Sequence, residues 1–175
     1  MSVYDAGVIN NQPVDSHVHR FEEEWVTPDD DVISVGEKLL QYFQTNFPGV
    51  AVGCHVAGYR QEDRTRVPYV LVGHTTREPG MRRVNADADG KVQYGITRAG
   101  DTLVANRLID PNYLPLFPAM PLQDAVDYAT HLIRTTIDTM RFEPRFPSVG
   151  GPIDVLVVLP DGPRWVRRKE LSGSG

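Results

Sequence analysis

Asp15-Ser16-His17-Val18-His19 is the run in this chain best suited to hold a metal. A carboxylate and two imidazoles at that spacing chelate zinc when a β-strand carries them, because alternate strand residues face one side. The surrounding apolar residues decide whether a strand is present. Val14, Val18, Phe21 and Trp25 recur at intervals of four, three and four, the period of one helix face. Pro13 suits a first helical turn, and Asp15 puts a carboxylate where the macrodipole favours one. On a helix, residues two apart sit about 200° apart around the axis. His17 and His19 then cannot share an ion, which needs positions i and i+4. Two exposed helix histidines and no metal are expected.

Other reactive groups are scattered. Cys54 and His55 are sequence neighbours in a strand-like run, so they point to opposite faces and make no catalytic pair. His74 near the end of the next strand has no evident partner, and His131 falls within a helical pattern; both are expected to be structural or exposed. Asn85, Asp87, Asp89 and Gly90 imitate the first half of a calcium loop. The bidentate Glu due at the twelfth position is Ile96, so Asp89-Gly90 reads as a hairpin turn instead. No cofactor is expected.

The elements follow from spacing. "VYDAGVIN" suits a short strand ended by Asn10-Asn11. Ser34 and Glu37 form an S-x-x-E capping box, and a helix bearing Val35, Leu39, Tyr42, Phe43 and Phe47 stops before Pro48. Strands "VAVGCHVAGY" and "VPYVLVGHT" flank the charged loop "RQEDRTR". "AGDTLVANRLI" predicts a short helix with Asp101 or Thr102 near its N-cap. A proline-rich crossing leads to the longest helix, "LQDAVDYATHLIRTTIDTMRF", with Leu122, Ala125, Ala129, Leu132, Thr136 and Met140 at helical spacing. "PIDVLVVLP" is a β-branched run expected as a buried strand, turned by "DG" into the partner "RWVRRKEL".

At 175 residues the chain has length for one domain with a sizeable core. Residues 1–171 are expected to form it, with "SGSG" at 172–175 a flexible tail. Acidic side chains number 23 against 18 basic ones, a net charge of −5 that argues against a nucleic-acid surface. Arg82-Arg83 and Arg167-Arg168-Lys169 are too short to reverse it and read as solvated charges. One cysteine excludes an intrachain disulfide and suits a reducing, cytoplasmic location. No apolar run reaches the roughly 18 residues that span a bilayer, and the N-terminus lacks a signal-peptide pattern.

The order of these segments resembles proteasome-type subunits of the N-terminal-nucleophile hydrolases, most closely bacterial proteasome-like ones. "VAGYRQEDRTRVPYVLVG" looks like the family's strand-loop-strand. "YGITRAGDTLVANRL" is similar to its strand end and middle helix, and "SVGGPIDVLVVLPDG" to its close. "GVINNQPVDSHVHRFEEE" resembles its helix entry. The likeness runs over most of 3–169 and implies an α+β fold, a four-layer αββα sandwich, here incomplete at the N-terminus. In active members a mature N-terminal Thr attacks the amide. Its own α-amine, with a pKa near 8, takes the hydroxyl proton.

The strand pair that bears that Thr, with a supporting Asp and Lys, has no counterpart in this chain. Ser2 falls in what resembles a later strand. Thr75-Thr76 looks like the doublet at which precursors cleave themselves, but it follows His74 rather than Gly. Thr135-Thr136 lies inside a helix. No catalytic residue is therefore assigned. The resemblance gives only supporting positions: Gly100, since this chain has Ala99-Gly100 where the family has Ser-Gly, with Asp101 next to it; Glu143, where it has Asp; and Ser148, Gly150 and Gly151, where it has Ser-Gly-Gly.

Three functions follow as expectations. One is the larger part of a threonine-type peptidase, inactive alone, partnered by a complementing N-terminal fragment and acting on peptides. A second is a non-catalytic subunit that forms homo-oligomeric rings. The third is a metal-dependent amidohydrolase, whose D-x-H-x-H strand the Asp15–His19 run resembles; the helical spacing and a chain shorter than the roughly 250-residue barrel of such enzymes speak against it.

Overall fold

The computed structural model describes residues 1–168. It is an α+β protein with four α-helices and antiparallel sheets among those residues. Residues 169–171 of the expected final strand and the expected tail at 172–175 lie outside them. The chain divides into two compact units, Met1–Gly100 and Asp101–Gly175.

In the first unit β1 (Ser2–Tyr4), β4 (Gly53–Glu62), β5 (Thr65–His74) and β6 (Arg82–Arg83) form one sheet in the order β1-β4-β5-β6. The opening segment is not one strand. Asp5 takes φ +73, which breaks β1 from β2 (Val8–Ile9), and β2 returns as β3 (Gln12–Pro13) through Asn10 and Asn11, both left-handed. Asparagine tolerates that conformation because its short polar side chain bonds locally. β4 and β5 pair in unbroken register from Gly53↔His74 to Glu62↔Thr65, leaving only Asp63 and Arg64 to turn. The charged "RQEDRTR" stretch is thus mostly strand, not loop, its side chains largely in water.

Helices α1 (Val14–Trp25) and α2 (Val32–Asn46) supply the rest of the core. Cys54 and Val56 of β4 and Tyr69 and Leu71 of β5 pack with Leu39 and Phe43 of α2 and Phe21 of α1, all buried. Gly36 lets α2 approach closely, since a Cβ there would stand 2.9 Å from the Leu71 side chain. The cap of α2 differs from the capping box. Asp31 is the N-cap, its Oδ1 accepting from the amides of Ile33 and Ser34 at 2.9 Å each. Ser34 lies a turn inside, where its hydroxyl donates to the Asp31 carbonyl. An Asp three positions upstream outcompetes the Ser because its carboxylate reaches two orphan amides at once.

Beyond β6 the edge of β5 is completed by a side chain. Asn85 accepts from the Val70 amide through Oδ1 and donates from Nδ2 to the Pro68 carbonyl, both at 2.9 Å. The Asp89-Gly90 turn forms as expected, with one bridge between Ala86 and Val92 rather than two strands.

In the second unit α3 (Leu103–Leu108) and a 3-10 turn (Phe117–Ala119) precede α4 (Leu122–Met140), and β7 (Val155–Leu159) pairs with β8 (Gly162–Arg167). Thr102 is the N-cap of α3. Only Leu132, Thr136 and Met140 of the α4 stripe are buried; Leu122, Ala125 and Ala129 are exposed. Strand β7 is half-buried rather than enclosed, because its one hydrogen-bonded neighbour among the described residues is β8.

Candidate functional site

The two histidines of the opening run part company. His17 is buried, a correction to its expected exposure: it lies on the same stripe as Val14 and Phe21. Its Nε2 donates to the Ile9 carbonyl at 3.1 Å, and its ring meets Phe47 edge-on at 4.6 Å. His19 stands in water beside Glu22. The helix aims the two rings to different sides, as its period requires.

Three of the supporting positions come together around Arg145, a residue the sequence did not single out. Its Nε donates to Glu143 at 2.5 Å and its terminal nitrogens to both oxygens of Asp101. Ser148 Oγ donates to Asp101 Oδ2 at 2.6 Å, and Arg107 stands 3.7 Å from the other oxygen of Glu143. Asp101 comes from the entry to α3, and the others from α3 itself and the loop after α4. The folding of the second unit therefore closes a gap of 44 residues between Asp101 and Arg145. Hydrogen bonds from Arg145 and then Ser148 hold the Asp101 carboxyl down to about 2, and hydrogen bonds to Asp101 and then Glu143 raise Arg145. Ser148 spends its proton on Asp101, so it is a support rather than a nucleophile. Gly100 has φ +74, and Gly151 φ +83 where the loop turns towards β7. Gly150 is exposed, and nothing crowds a Cβ there.

A second constellation, unforeseen in the sequence, lies in the first unit. His74 is buried, with Nε2 3.0 Å from Asp5 Oδ2. Its Nδ1 is 3.2 Å from both the Thr76 amide and the Thr76 hydroxyl. This corrects the expectation of a histidine without a partner; Asp5 is 69 residues away in sequence, and no local pattern links them. Tyr4 seats the group by lying over Gly53, where a Cβ would fall 2.0 Å from the ring. Burial and then Asp5 raise the Tyr4 phenol. Nearby Cys54 is pushed up to about 12 by burial alone, which leaves it a thiol at neutral pH. His55, on the other face of β4, is lowered by burial.

An open cavity of about 460 Å3 lies on the sheet face away from α2, lined by Tyr59, Pro68, Val70, Val92, Tyr94 and Ile96 among others. Among the described residues no helix is long and apolar enough to cross a membrane. No family model matches the chain, and neither a curated protein nor a solved structure does so.

Proposed function

We propose that this chain is the larger part of a proteasome-like, threonine-type amide hydrolase, cytoplasmic, whose attacking Thr is carried on a segment outside these 175 residues. The observation that carries the reading is the union of Asp101, Glu143 and Ser148 around Arg145, three positions to which the family resemblance points. Asp101, anionic and with both oxygens already engaged, would fix the loop it shares with Arg145 and Ser148 for the incoming segment to meet. Amides following Gly100 would face the oxyanion of the tetrahedral intermediate. The first unit supports the four-layer sandwich: one sheet face is covered by α2, and the other presents Ala57, Tyr59, Pro68 and Val70, which a second sheet would cover.

The native assembly, isolated from its source and treated with a Thr-directed covalent inhibitor, should carry the label on the terminal Thr of a co-purifying segment. Asp101→Asn should cut its peptide hydrolysis by about 10- to 1,000-fold, the range for loss of one preorganised electrostatic group. An assembly without a labelled terminal residue defeats the reading.

A second reading, a ring-forming structural subunit, is favoured by the apolar surface of the second unit. Tyr113, Leu116, Phe142 and Phe146 are between 74% and 90% exposed, large apolar side chains that a subunit interface would cover.

A further inference from the structure

The geometry points to a covalent site in the first unit that is independent of the reading above: Thr76, served by His74 and Asp5, is an acyl-accepting hydroxyl. The tautomer follows from the contacts. A backbone amide can only donate, so the Thr76 N–H at 3.2 Å fixes Nδ1 of His74 as the unprotonated nitrogen. Nε2 therefore carries the hydrogen and donates it to the Asp5 carboxylate. The Thr76 hydroxyl lies 3.2 Å from the same Nδ1 lone pair. A hydroxyl, an imidazole base and an orienting carboxylate within hydrogen-bond reach are the parts of an activated nucleophile.

The placement goes beyond a histidine tying two strand ends together. His74 is 3% exposed, so its ring is fixed, whereas Thr76 is open to solvent. Asp5 reaches the ring from a left-handed backbone, φ +73, which its short polar side chain tolerates. Arg77 also binds Asp5, at 3.3 Å, and so helps to hold that carboxylate against the ring.

The step balances without an added reagent. Thr76 Oγ1 bonds to the carbonyl carbon of an activated ester as its proton passes to Nδ1. The ester C–O bond then breaks, and the departing oxygen takes that proton. Water repeats the exchange and frees Thr76, so the substrate class is small activated acyl esters.

The test treats the 175-residue chain with an alkyl fluorophosphonate, whose P–F bond breaks as Thr76 oxygen bonds to phosphorus. One adduct is expected, on the peptide containing Thr76, absent in Thr76→Val and kept in Thr76→Ser. Asp5→Asn and His74→Gln should slow labelling by about 100-fold or more. Thr76 is exposed, so Thr76→Val should keep the wild-type circular dichroism and isolate the chemistry from folding. No adduct on folded protein, an adduct elsewhere, or a rate unchanged in both Asp5→Asn and His74→Gln overturns the assignment.

Discussion

Asp101 is held anionic by donors that exist only in the folded second unit. Its folded pKa of about 2 lies below the ordinary 3.8. A lowered carboxyl contributes stability above its unfolded pKa and loses that contribution as pH falls through the folded one. Wild type should therefore exceed Asp101→Asn in urea midpoint at pH 7. The gap should narrow between about pH 4 and pH 2 and be closed below it; a gap independent of pH would contradict the assigned contacts. Asp101, Glu143 and Ser148 could be named from sequence only through the family resemblance. Arg145 could not, since its part depends on which loops meet. His17 was misread although a signal was present: it falls three residues from Val14 and four from Phe21, on the buried stripe itself.

The start of α2 rests on one side chain. Asp31→Ala should cost about 1 kcal/mol, the usual loss for an N-cap carboxylate, read as a lower urea midpoint at unchanged slope. Glu37→Ala should cost much less, whereas the S-x-x-E pattern would have made it comparable. Both main helices of the first unit, the β4–β5 pair and α4 follow from period and turn residues, and all were legible. Their ends were not. Arg60–Arg66 looked like a loop because charge suggests solvent, yet a strand can keep its ladder while its side chains stand in water. For β7 the β-branched composition predicted enclosure, but composition reports propensity and not how many neighbours a strand finds.

For the chain as a whole, the exposed aromatic and aliphatic surface of the second unit sets the expected behaviour. Sizing chromatography with light scattering at micromolar concentration should show oligomers, and Leu116→Asp with Phe146→Asp should lower their mass. A monodisperse monomer would remove support from the ring-forming reading. The α+β class was legible from the alternation of helical and strand periods. The number of layers was not, because stacking of sheets is a matter of surfaces that no spacing encodes.

The side chain that finishes β5 has a chemical lifetime as well as a geometry. Deamidation of Asn85 would exchange a nitrogen for an oxygen opposite the Pro68 carbonyl, turning attraction into lone-pair repulsion while the Val70 contact survived. The border of this sheet would then loosen on one side only, by a change of one mass unit and with no mutation at all.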